Sequence, residues 1–129
     1  MRLFALALGA ACLFTTQAMA MDPRLERVLK KLDPAARLEQ LCDYAAMSSI
    51  KKDQREYRPD RAVAGARGEP QVKGHTIKAE GAAFRSRGKW YAMSYSCAAD
   101  ADHMKVLSFK YKIGAEIPTS QWAAYNLFD

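Results

Sequence analysis

Three residues able to do chemistry crowd into one short stretch, AADADH, which carries Asp100, Asp102 and His103. Carboxylates and an imidazole are ordinary ligands for zinc or manganese. A hydrolytic Ser–His–Asp set can also assemble from residues far apart in a sequence. A metal site needs three or four converging ligands, however, and no fourth is evident. Aspartate is common in turns for another reason: its side chain bonds the nearby backbone. The chain has only two histidines, and the other, His75, reads as a solvated residue at a strand start. No GxSxG elbow, HExxH motif or P-loop is present. AADADH therefore reads first as the loop of a hairpin. A small hydrolase or metal-dependent enzyme using Asp100, Asp102 and His103 is the second reading, and no cofactor is expected.

A basic-aromatic cluster lies upstream: Arg85, Arg87, Lys89, Trp90 and Tyr91 surround one turn. Arginine and aromatic side chains together hold carboxylates, phosphates or sugars by forked hydrogen bonds and stacking. If Tyr91, Met93 and Tyr95 are core, strand alternation puts Trp90 on the other face. There it is either an exposed interface residue or packed beneath the segment around Trp122 or Arg61. The leading functional reading is a non-enzymatic binding or interaction module. Its surface is expected to use Arg85, Arg87 and Trp90, with Arg58 and Arg61 from the arginine-rich stretch before them.

The N-terminus bears on where this happens. MRLFALALGAACLFTTQAMA has a short positive start at Arg2, an apolar run from Leu3 to Phe14, and Ala18-Met19-Ala20 as a small-x-small cleavage pattern. Residues 1–20 are expected to be a signal peptide cleaved after Ala20. The run is too short for a comfortable span, so no stable transmembrane segment is expected after cleavage. Residues 21–129 then form one domain of periplasmic or secreted location. The chain's net charge is +6, with a single basic residue, Arg2, in the leader. That balance suits an anionic envelope component or protein as partner. Nucleic acid is not expected for an exported chain.

The elements that must position these residues are legible from spacing. Asp22-Pro23 and Asp33-Pro34 each give an N-cap acid followed by proline at the first helical position. Leu25, Val28, Leu29 and Leu32 form one helical stripe. A second helix runs from Pro34 to Ile50, with Leu38, Leu41, Cys42 and Ala45 on its apolar face. KKDQREYRPDRAVAGARGEP, residues 51–70, reads first as a solvated connection, with a short strand at Arg61–Ala66, and second as an anion-binding loop. Strands are expected at His75–Ala79, extending toward Phe84, at Lys89–Cys97 and at Met104–Ile113. Tyr91, Met93, Tyr95 and Cys97 face inward on one; Leu107, Phe109, Tyr111 and Ile113 face inward on the other. SQWAAY closes the chain as a short helix. The architecture is α+β: two N-terminal helices on an antiparallel sheet of three to four strands. Cys42 and Cys97 both point at the helix–sheet interface, and export favours a disulfide between them.

Five stretches in one order, LDPAARLEQLCDYAAM, YRPDRAVA, GAAFRSRGKWYAMSYSC, DHMKVLSFKYKIG and IPTSQWAAYNLFD, resemble the family known as domain of unknown function 930. The resemblance runs from about Leu32 to Asp129. It implies a small exported envelope protein and carries over no catalytic residue.

Overall fold

A computed structural model describes residues 21–129; the expected signal peptide, residues 1–20, lies outside the described residues. Helices α1 (Pro23–Lys30) and α2 (Pro34–Asp53) open the domain. Both begin as the Asp-Pro pairs require: Asp22 Oδ1 accepts from Arg24 N at 2.8 Å, and Asp33 Oδ1 accepts from Ala36 N at 3.0 Å. The stripe on α1 is narrower than its spacing suggests. Leu29 is buried, with Leu25 and Leu32 packed at its sides, but Val28 is 54% exposed because α1 meets the core along a single row.

The sheet holds five strands among the described residues: β1 (Pro59–Val63), β2 (Gln71–Lys73), β3 (Thr76–Ser86), β4 (Lys89–Ala99) and β5 (Val106–Glu116). All pairings are antiparallel, in the order β1-β3-β4-β5. The three-residue β2 pairs with the first end of β3, while β1 pairs with its last end, so together they fill one edge position. The β3–β4 connection is a two-residue hairpin in which Arg87 (φ 51°) and Gly88 (φ 75°) both take positive φ, as a type I′ turn demands.

Bulges set the faces. β3 carries an extra residue at Glu80-Gly81, between the pairs Ala79↔Tyr95 and Ala82↔Met93. A Cβ on Gly81 would stand 2.9 Å from Arg67 C and Gly68 N, and Arg67 N donates to Gly81 O at 2.8 Å, so the loop after β1 crosses there in backbone contact. A second bulge turns Leu107 outward: Ala98 pairs with Ser108 but Ala99 pairs with Val106. Leu107, expected inside, is 63% exposed, and Val106 takes its place against the core.

The main core lies between α2 and the sheet and includes Leu38, Leu41, Cys42, Ile77, Phe84 and Met93. Cys42 of α2 and Cys97 of β4 are disulfide-bonded across it, with Cα atoms 6.0 Å apart and a sequence separation of 55. On the chain-entropy account a loop of that length is worth about 4 kcal/mol. A second, smaller core covers the other face at the Trp90 end, where Ala83, Trp90, Ile117 and Leu127 pack together. The closing segment that covers it is two 3₁₀ turns, Thr119–Gln121 and Ala123–Tyr125, in place of the expected short helix.

Candidate functional site: the open face of the sheet

The closing segment covers only part of the outer face, and the remainder is open and basic. Register places one row across four strands: Gln71 opposite Lys78, Lys78 opposite Ser96, and Ser96 opposite Lys110. One pleat along β4, Ser94 stands opposite Lys112. Neighbouring strands are about 4.8 Å apart, so Lys78 and Lys110 flank the Ser96 hydroxyl at roughly 10 Å from each other. Two adjoining shallow depressions, of about 250 and 540 Å³, share Lys78, Ser96 and Lys110 in their linings, and Lys73 and Ser108 border the larger one. The carboxylate in this groove is Glu80, which Lys78 meets at 3.4 Å. Four lysines face one acid. Ammonium groups with hydroxyls between them can hold phosphate or carboxylate oxygens by charge-assisted hydrogen bonds.

Register sets Arg61 opposite Arg85 and Arg85 opposite Trp90, so these residues singled out from sequence are neighbours at one end of the sheet, but Arg85 and Trp90 are already occupied. Trp90 is 1% exposed, inside the second core, with Nε1 donating to Phe128 O at 3.0 Å. Of its two sequence readings, packing beneath the Trp122 segment is the observed one, and Trp90 is no interface residue. The Arg85 fork is filled by Asp60, with Nε to Oδ1 at 2.8 Å and Nη2 to Oδ2 at 3.0 Å. Its third branch reaches Phe128 O at 3.4 Å, and its guanidinium lies 5.9 Å from the Trp90 ring centroid. This pairing holds the Asp60 carboxyl below the usual range and pushes Arg85 up. Arg87 sits exposed at the hairpin tip. Arg58 borders a separate shallow hollow with Lys51, Arg55 and Tyr57, while Arg61 lines a cleft against α2.

The AADADH turn is built into the scaffold. Asp100 Oδ1 accepts from Met104 N at 2.9 Å and Lys105 N at 3.1 Å. Burial raises that carboxyl, but the two amides outweigh it and hold it below its ordinary value. His103, at φ 56°, sets its Nδ1 2.7 Å from Pro34 O at the start of α2, and its Nε2 meets His75. Arg37 completes the anchor. It donates to Leu29 O and Leu32 O, both at 2.9 Å, and to Asp102 O at 3.0 Å. One guanidinium thus caps the end of α1 and ties the turn to α2. Among the described residues, no three His, Cys, Asp or Glu side chains gather as metal ligands would.

A model of the family described as Domain of Unknown Function (DUF930) matches residues 29–127. The chain belongs to this family. The matched span of this DUF930 protein contains the disulfide, the Arg37 anchor and the whole lysine row. No curated protein and no solved structure matches the chain. The signal for the lysine row was present in the sequence: Ser94 and Ser96 on β4, and Lys110 and Lys112 on β5, occupy the polar phase of their strands. What alternation could not supply is which serine faces which lysine.

Proposed function

We propose that this DUF930 protein is an exported, non-enzymatic binding module that holds an anionic glycan of the bacterial envelope on the open face of its sheet. The row Lys78–Ser96–Lys110 carries the reading, because three strands deliver cation, hydroxyl and cation in line. A rigid sheet holds such a row without the loop ordering that a flexible site must lose on binding. Lys112 and Ser94 extend it along the strands, to match a ligand with repeated charge. The leader-like residues 1–20 and the Cys42–Cys97 bridge support an oxidising, extracytoplasmic setting.

The test uses the mature protein with purified lipopolysaccharide, against uncharged dextran, at low and high salt. Binding is expected to the anionic glycan alone and to weaken with salt. The double variant Lys110→Glu/Lys112→Glu should lose about tenfold or more in affinity with its melting temperature held. Unchanged binding by that folded variant would sink the reading. Cell fractionation that finds the protein in the cytoplasm would remove the envelope part of it.

A further inference from the structure

The cleft between α2 and β1 has a volume of about 440 Å³ and lies apart from the lysine row. Leu25, Met47 and Ala62 give it apolar walls, and Glu39 and Asp43 stand in it four residues apart on one face of α2. Asp43 is 4% exposed. Its Oδ1 accepts from the Tyr95 hydroxyl at 2.9 Å. Oδ2 makes no hydrogen bond, yet no fully enclosed side-chain oxygen among the described residues lacks a partner. Oδ2 is therefore reached from the cleft. The fold does not require this acid, since an amide oxygen at the same place would accept from Tyr95 equally well. A carboxyl group sunk in apolar surroundings with one oxygen free is costly to hold.

We infer that this cleft is a second binding site, for a primary ammonium group carried on an apolar chain. The ammonium sits between Asp43 Oδ2 and the Glu39 carboxylate, and Leu25, Met47 and Ala62 take the hydrocarbon. An ammonium has three N–H donors and no acceptor, which suits two acceptor carboxylates. The other charged or titratable groups facing the cleft are Tyr44 on α2 and Asp60 and Arg61 on β1, with Tyr95 behind Asp43 on β4. Asp60 is already engaged by Arg85, and Arg61 is exposed at the rim. Burial pushes the Asp43 carboxyl up to about 7; the Tyr95 hydrogen bond pulls it back and Glu39 adds to the rise. A bound cation favours the ionised form, so it releases a proton and binds more tightly as pH passes upward through 7.

Hexylammonium is the probe, with hexanol as its neutral counterpart, and backbone amide shifts of Ala62, Val63 and Met47 report occupancy. Hexylammonium should move these signals in the wild type, more strongly above pH 7 than below it. Asp43→Asn should fold and lose at least about tenfold in affinity, and Glu39→Gln should lose less. Three results would each overturn the proposal: equal binding of hexanol, retained binding by folded Asp43→Asn, or no shift at saturating probe. Should Asp43→Asn fail to fold, Glu39→Gln decides, and unaltered binding by it counts against the site. Lipopolysaccharide binding is unaffected by either variant, so the two proposals fail independently.

Discussion

His75 and His103, the chain's two histidines, meet ring to ring, with His75 Nδ1 2.8 Å from His103 Nε2. One precedes β3 and the other closes the β4–β5 turn, so the contact ties the two loops at that end of the sheet. Pro34 O can only accept, which assigns the proton of His103 to Nδ1. When the His103 ring is neutral its Nε2 is bare and accepts from His75 Nδ1–H. Nitrogen-15 NMR at neutral pH should find both rings as the Nδ1–H tautomer. His75→Ala should leave the His103 tautomer unchanged, because Pro34 O and not His75 sets it. An Nε2–H tautomer at His103 in either protein would contradict the assignment.

Trp90 should behave as core. Removing a ring this buried costs about 3–5 kcal/mol, so Trp90→Ala should melt far below the wild type. Deleting residues 127–129 removes Leu127 from the second core and the Phe128 carbonyl from Trp90 Nε1. In a Trp122→Phe background, that deletion should shift Trp90 emission to the red. An unshifted spectrum would mean that the chain end does not seal this core.

Asp43 gives stability an unusual slope with pH. Its folded value of about 7 lies above the ordinary value of 3.8, so the folded state binds the proton more tightly. The contribution is complete below 3.8 and is lost as pH rises to 7. Its order is about 4 kcal/mol, from 1.36 kcal/mol per unit. Asp60 and Asp100, held low, slope the other way, so the difference between Asp43→Asn and wild type isolates the effect. Denaturant melts across this range should show Asp43→Asn gaining on the wild type with rising pH, up to about 7. Parallel curves would show that Asp43 is ionised in the folded protein throughout.

Much of the architecture was legible without coordinates because it rests on local chemistry. Two Asp-Pro pairs start two helices by capping, whatever the rest of the chain does. Strand alternation through Tyr91, Met93, Tyr95 and Cys97, with the helical phase of Cys42, put both cysteines at one interface, where they are bonded. The errors fall where one inserted residue changes everything beyond it. Leu107 matches the inward phase of β5 until the bulge, which alternation cannot see, turns it out. β2, three exposed residues long, has no apolar signal to announce it.

Sites were less legible than elements, because a site is a relation between elements. By itself the sequence determined the helix starts and the inward faces of β4, by capping and periodicity, and the inward phase of Cys42 and Cys97 that lets them pair. Tertiary structure alone decided that the closing segment buries Trp90, that Asp60 fills the Arg85 fork, and that the two histidines touch. It also set Ser96 between Lys78 and Lys110 and left one oxygen of Asp43 facing a cleft. Each of these depends on strand register, bulge position or which face a distant segment covers, and none of those is encoded within reach of a single helical turn or strand repeat.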